Sequence, residues 1–378
     1  MIHTRLIGAL ALSTIASTGI AQAQDATADA TAPAVADTLA EGLVHPWGMD
    51  FLPDGRAIVT EREGTMRLVS AEGELSDPVE GVPEVWASGQ GGLLDVAAAP
   101  DFAETGTIFF TFSEPGEGGA GTAVARAELV EGDGSASLEG VEVIFTMNRK
   151  TDAGQHFGSR IAFGPDGSLH FTIGDRGDGP RAQDPQDHAG SVLRIGQDGA
   201  AHADNPGGEW LPEIYSIGHR NPQGLVWDPV TGALWSHEHG PRGGDELNRP
   251  EVGLNYGWPE VSLGVNYDGS PVNEGEAEAE GVEQPVHFWD PSPALSGFAV
   301  YEGEMFPEWQ GDFLIGALAQ ESLIRLDRDE AGAVTGDEER LFEGELGRIR
   351  DVAVAPDGSL WLLTDDANGQ IVRVSRGD

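Results

Sequence analysis

His156, Asp175, Arg220, Arg348 and Arg350 are the residues of this sequence best suited to chemistry, and they lie far apart in the chain. A single histidine can serve as a general base, because an unperturbed imidazole titrates near pH ~6.5. Asp175, in the stretch TIGDRGD, could orient that imidazole and stabilise its cation; the alternative is a polar turn over Asp175-Arg176-Gly177-Asp178. Guanidinium groups pair with carboxylate or phosphate through parallel hydrogen bonds. Three arginines brought together therefore suit an anionic, planar, polyvalent ligand. Taken singly, each arginine is more simply a partner for a surface carboxylate, and a lone histidine more simply structural.

A denser signal runs from Gly240 to Pro259, GPRGGDELNRPEVGLNYGWP. Its Gly-Pro and Gly-Gly pairs let carbonyls point into a tight loop, and Asp245 and Glu246 supply hard oxygen donors. Such a set suits Ca²⁺, which takes about six to eight oxygen ligands, backbone carbonyls included. The loop is not the helix-flanked loop of an EF-hand, and a solvated acidic loop accounts for the same residues.

What must position these groups is a repeat. A polar residue, an apolar strand, a Pro/Asp/Gly turn and a second apolar strand recur six times, around Pro53, Pro100, Pro165, Pro229, Pro307 and Pro356. The pairs Asp54-Gly55, Asp166-Gly167 and Asp357-Gly358 are strong hairpin signals between β-rich runs. Further strands are predicted at Met66 to Val69, Val192 to Ile195, Leu323 to Leu326 and Ile371 to Val374. Four-stranded units repeated around an axis make a β-propeller. The fold class is thus all-β, a six-bladed propeller of antiparallel blades, with a β-sandwich as the alternative. In a propeller the first strand of each blade lines the central channel. The residues just before those strands, Trp47, Gln90, His156, Arg220 with Asn221, Ser296, and Arg348 with Arg350, then meet at one mouth. That common position makes the arginine and histidine set functional where each alone is not.

The chain has 378 residues, 64 of them acidic against 21 basic, for a formal net charge of -43. Such a surface repels nucleic-acid phosphates and anionic membranes, which argues against nucleic acid as a partner. It suits salt water, where screening weakens self-repulsion. Cysteine is absent, so disulfides, thiolate metal sites and covalently attached haem are excluded, and redox chemistry requires a separate cofactor. Arg5, the apolar run Leu6 to Ile20 and the small-residue pattern Ala21-Gln22-Ala23 read as a signal peptide over residues 1–23. The run is too short for a membrane-spanning helix, so no membrane span is predicted. A flexible leader over 24–38 and a single propeller domain over 39–378 follow, in a periplasmic or secreted protein.

The motifs GQGGLLDVAAAPDF, HFGSRIAFGPDGSLHFTIGDRGD, GHRNPQG, GPRGGDELN with NYGWP, and RIRDVAVAPDGSLW resemble those of the soluble aldose sugar dehydrogenases that depend on pyrroloquinoline quinone (PQQ). The resemblance runs from about Leu39 to Val374. It implies oxidation of an aldose at its anomeric carbon to a lactone, with electrons passed to a separate acceptor. His156 would take the anomeric hydroxyl proton while hydride passes to the quinone, Asp175 would hold His156, and Gln90 would lie beside substrate or quinone. Arg220 would stabilise charge on the quinone oxygen, and Asn221, Arg348 and Arg350 would bind PQQ. The carbonyls of Gly240 and Pro241 would hold a Ca²⁺ that also binds PQQ, while Glu246 and the carbonyl of Tyr256 would serve a second, structural Ca²⁺. Two positions depart from the glucose enzymes of this group: Gln155 stands where they have an acid, and Ala319 or Gln320 where they have a lysine. A calcium-dependent lactonase of the gluconolactonase type is also a six-bladed propeller, but it has no need of an arginine cluster. A non-catalytic propeller binding sugar or protein needs neither base nor cofactor.

Overall fold

The computed structural model describes residues 32–132 and 135–377, so the signal peptide expected over 1–23 lies outside the described residues. The chain opens with β1 (Ala34–Leu43) and then builds blade by blade. The first blade holds β2 (Pro46–Phe51), β3 (Ala57–Glu61) and β4 (Thr65–Val69), and the second β5 (Leu93–Ala98), β6 (Thr107–Gly116), β7 (Gly119–Gly132) and β8 (Ser135–Thr146). The third holds β9 (Ile161–Phe163), β10 (Leu169–Ile173), β11 (Ser191–Ile195) and β12 (Ile214–Ile217). The fourth holds β13 (Pro222–Asp228), β14 (Ala233–Glu238), β15 (Asp245–Asn248) and β16 (His287–Trp289). The fifth holds β17 (Leu295–Val300), β18 (Phe313–Ala317), β19 (Ser322–Arg328) and β20 (Val334–Leu341), and the sixth β21 (Ile349–Val354), β22 (Leu360–Thr364) and β23 (Gly369–Arg376). The inner strands β2, β5, β9, β13, β17 and β21 contact one another in that order, and β21 returns to β2. This is the six-bladed propeller expected from the repeat, with every blade antiparallel.

Two details refine that expectation. The sixth blade takes its outer strand from the opposite end of the chain: β1 pairs with β23 from Ala34 opposite Arg376 to Leu43 opposite Gly369. Residues 34–38 therefore belong to the propeller and not to a leader, because their main chain satisfies the free edge of β23 and closes the ring. The first blade has three strands; its fourth place is filled by an irregular segment whose Ser76 and Val79 N–H groups bond Leu68 and Met66 carbonyls at 2.9 and 2.8 Å.

Alternation along the strands builds the core. Successive side chains point to opposite faces, so Phe110 packs toward the first blade and Phe109 toward the third. Six apolar clusters result, each between neighbouring blades. The Asp-Gly turns repeat in detail: Gly55, Gly167 and Gly358 all have positive φ, near 87°, 79° and 81°. On the axis, Arg160 plugs the channel, bonding Asp95 and Asp351 at 3.1 and 2.9 Å and the carbonyls of Gln223 and Arg350 at 2.9 and 3.0 Å. No described helix is long and apolar enough to cross a membrane.

Candidate active site

One mouth of the channel holds the predicted residues. Gln90, Asn221, Arg348 and Arg350 line a cavity of about 170 Å³ floored by Trp47. Arg220, Gly240, Pro241, Glu246 and Tyr256 line an adjoining cleft, and His239 belongs to both.

His156 directly precedes Phe157 and Gly158, which line the cavity. Its ring Nδ1 lies 2.6 Å from Asp175 Oδ1, and its main-chain N–H donates to Gln90 Oε1 at 2.8 Å. The backbone at His156 is left-handed, with φ near 56°. That turn is possible because Gly174 has no side chain: a Cβ there would lie 2.4 Å from the His156 carbonyl oxygen. We therefore expect Gly174→Ala to displace the His156 loop and lower kcat/KM by roughly 100-fold, the cost of about 1 Å of misplacement. Steady-state kinetics on the folded variant check this, and activity within a factor of two or three of wild type refutes it.

Asp175 is almost fully buried, and every side of its carboxylate is used. Oδ1 also accepts from the Gly177 N–H at 2.6 Å, and Oδ2 from the Trp258 indole N–H at 2.7 Å. Burial acts to raise this carboxyl, but the His156 bond and charge, the Gly177 N–H and the nearby Arg220 together hold it below its ordinary value. Asp175 is thus an ionised, oriented partner for an imidazole and also opens a polar turn, closed by the Asp178 N–H on its carbonyl at 3.2 Å.

The arginines are held by the scaffold. Arg220 Nη1 donates to the His239 and Gly240 carbonyls at 3.0 and 2.8 Å, and its guanidinium lies 5.2 Å from the Trp258 ring centre. Arg350 Nη1 donates to Gln223 Oε1 and Ser296 Oγ, both at 3.2 Å, and Nη2 to Asp365 Oδ2 at 2.8 Å. Arg348 donates to the Leu318 carbonyl at 3.1 Å and reaches Asp365 at 3.4 Å. The Nε groups of Arg220 and Arg350 are buried without any partner. Buried guanidinium N–H groups without acceptors are costly and mark where an anionic ligand would complete the site.

The calcium expectation divides in two. Among the described residues no group of three or more His, Cys, Asp or Glu side chains is arranged for a metal. The expected ligands are mostly carbonyls. The 240–244 loop is folded so tightly that a Cβ at Gly240 would lie 2.2 Å from the Gly243 carbonyl oxygen. The Gly240 carbonyl already accepts from Arg220, so a cation there would share that oxygen. Around Glu246 the case is firmer: its carboxylate and that of Glu238 both accept from Asn248 Nδ2, at 3.1 and 3.2 Å, while Asn248 Oδ1 is buried with no partner. Burial and the facing Glu238 push the Glu246 carboxyl up to about 8. A buried excess of oxygen donors of this kind suits a hard cation.

Sequence reasoning missed Asp365, Gln223, Trp258, His239 and Arg62. Gln223 donates to Asn221 Oδ1 at 3.3 Å and accepts from Arg350, tying two predicted ligands together. It follows the Arg220-Asn221 pair in the motif GHRNPQG, so its proximity was available as a signal. Arg62 lines the cavity and makes no ion pair among the described residues. Neither Ala319 nor Gln320 lines the cavity; Leu318 does.

The sequence profile of the glucose/sorbosone dehydrogenases matches residues 43–373. The chain belongs to this family. Its relative from Escherichia coli (strain K12), aldose sugar dehydrogenase YliI, is 42% identical over 345 residues, covering 90% of this chain and 92% of that protein. A crystal structure of the soluble aldose sugar dehydrogenase of E. coli in its apo form superposes with a TM-score of 0.86 at 40% identity, covering 91% of this chain and all of that one. The PQQ-bound aldose sugar dehydrogenase of Streptomyces coelicolor superposes with a TM-score of 0.76 at 32% identity, covering 91% of this chain and 99% of the other. The resemblance read from the motifs is therefore borne out, and the family is one of sugar dehydrogenases.

Proposed function

We propose that this member of the family is a PQQ-dependent aldose sugar dehydrogenase that oxidises the anomeric carbon to a lactone. The observation that carries the reading is the His156–Asp175 pair, 2.6 Å apart, set beside a cavity lined by Asn221, Arg348 and Arg350. PQQ is an anionic, planar quinone, which fits the unpartnered Nε groups of Arg220 and Arg350. When bound, it supplies the hydride-accepting centre that the side chains lack.

The chain's own residues do the rest. Asp175 accepts the Nδ1 proton of His156, which leaves Nε2 with the lone pair and free to take the proton of the anomeric hydroxyl. The ionised Asp175 then stabilises the imidazolium, which returns its proton to water. Gln90 fixes the His156 main chain through its 2.8 Å bond. Arg220, Arg348, Arg350 and Asn221 would hold the cofactor, with the Arg220 main chain tied to the histidine's partner by the Asp175 N–H to Arg220 carbonyl bond of 2.8 Å. Calcium belongs to the same reading, at Gly240 and Pro241 beside the cofactor and at Glu246 and Tyr256 as a structural ion. So do a separate electron acceptor and a periplasmic or secreted location, the latter on the signal-like segment before residue 24.

The test is a dye-linked aldose oxidation assay on purified apo-protein, with PQQ and Ca²⁺ added singly and together. Activity is expected only with both, to be lost on chelation and restored by Ca²⁺ with PQQ. Recovery with PQQ alone in metal-free buffer removes calcium from the reading. Absence of activity and of any spectral change on adding PQQ removes the dehydrogenase reading itself.

A further inference from the structure

Arg348 and Arg350 do not face the cavity as free charges. One buried carboxylate, Asp365 at the end of β22, meets Arg350 Nη2 at 2.8 Å and Arg348 Nη2 at 3.4 Å through Oδ2. Its other oxygen, Oδ1, lies 3.0 Å from the Nδ1 of His45. Burial acts to raise the Asp365 carboxyl, but the Arg350 charge and the bonds from His45 and Arg350 hold it far below the usual carboxylate range. It is therefore held as an anion between the arginines and His45.

His45 is fixed in place by its main chain. Its φ is near 46°, its N–H donates to the Asp366 carbonyl at 2.8 Å, and its carbonyl accepts from the Arg62 N–H at 3.1 Å. The residue directly precedes β2, so it carries the seam between the first and last blades onto the carboxylate that anchors the arginine pair. Its side chain is 29% exposed, against 7% for Asp365, so the imidazole meets solvent while the carboxylate is buried. The charged residues against this segment are Asp365 on the ring, Asp366 and Arg62 on the His45 main chain, Glu61 on the Val44 N–H, and Arg348 and Arg350 through Asp365.

We propose that His45 is a positioning residue for the cofactor-binding arginines, acting through Asp365, and that its protonation tightens binding of the anionic cofactor. This rests on the PQQ reading given above. When His45 is neutral, Asp365 directs its whole charge at Arg350 and Arg348 and competes with ligand carboxylates for the guanidinium groups. When His45 is charged, it draws on the same carboxylate and adds a positive charge beside the cavity. Binding of an anion must in turn raise the proton affinity of His45, since the coupling is reciprocal. The sign follows: affinity is highest at low pH and falls as pH rises.

The experiment is a titration of PQQ into calcium-supplemented apo-protein, read by quenching of intrinsic tryptophan fluorescence across about pH 5.5 to 8.5, where imidazoles titrate. The Kd of the wild type should rise on the order of tenfold over that window, one pKa unit of coupling. His45→Asn keeps a donor to Asp365 at the position of Nδ1, tolerates a left-handed backbone and cannot titrate, so its Kd should change far less. His45→Gln serves as the second variant should Asn perturb the seam, with thermal melts establishing that each is folded. A wild-type Kd that is flat with pH, or a slope in both variants equal to that of wild type, overturns the proposal while leaving the cofactor reading intact. Absence of quenching by PQQ at every pH overturns both.

Discussion

His156→Gln is expected to lower kcat by roughly 10²- to 10⁴-fold, the range over which a positioned general base acts. Its effect on PQQ affinity should be small. The glutamine amide can still meet Asp175 but offers no basic nitrogen to the anomeric hydroxyl. Because His156 carries none of the arginine contacts, the cofactor site is left as it was. Single-turnover reduction of bound PQQ by an aldose, followed by its absorbance, separates the two effects. A variant that binds PQQ normally and reduces it at near-native rate would show that another group takes the proton.

Arg350→Met should produce the second large effect, and on binding rather than on chemistry. The guanidinium is buried, bonds Asp365, Gln223 and Ser296, and keeps one Nε–H without a partner. Losing a charge-assisted bond to a ligand carboxylate costs about 1.5–3 kcal/mol, so the Kd for PQQ should rise roughly 10- to 100-fold. The fold should suffer too. Removing one member of a buried pair leaves the other uncompensated, at about 3–5 kcal/mol, although Arg348 and His45 remain to share the Asp365 charge. Fluorescence titration and thermal melts report the two separately. Unchanged PQQ affinity in a folded variant would take Arg350 out of the cofactor site.

The family match, with an aldose sugar dehydrogenase 42% identical over 90% of this chain, favours the dehydrogenase over the other propeller enzyme weighed from the sequence.

By itself the sequence determined the fold class, the six repeats and most of the candidate residues that gather at the channel mouth. Each of these is written in local pattern: the Pro/Asp/Gly turns, the alternation that sends Phe109 and Phe110 to different neighbours, and the mostly polar residues at or before the start of each inner strand. His156, Arg220, Asn221, Arg348 and Arg350 were found because a propeller places equivalent positions of every repeat at one mouth. Only the tertiary structure decided what those groups are bonded to. The roles of Asp365, Trp258 and Gln223 come from their partners: Asp365 pairs with Arg348 and Arg350 within the sixth blade and with His45 across the seam, while Trp258 reaches Asp175 and Gln223 reaches Arg350 in other blades. The place of residues 34–38 was likewise hidden, since this largely unburied start of β1 has little pattern of its own and is defined by the free edge of β23. Local sequence sets strand, turn and facing, whereas charge pairing and ring closure depend on residues that the chain keeps hundreds of positions apart, as with Asp365 and His45, 320 residues distant.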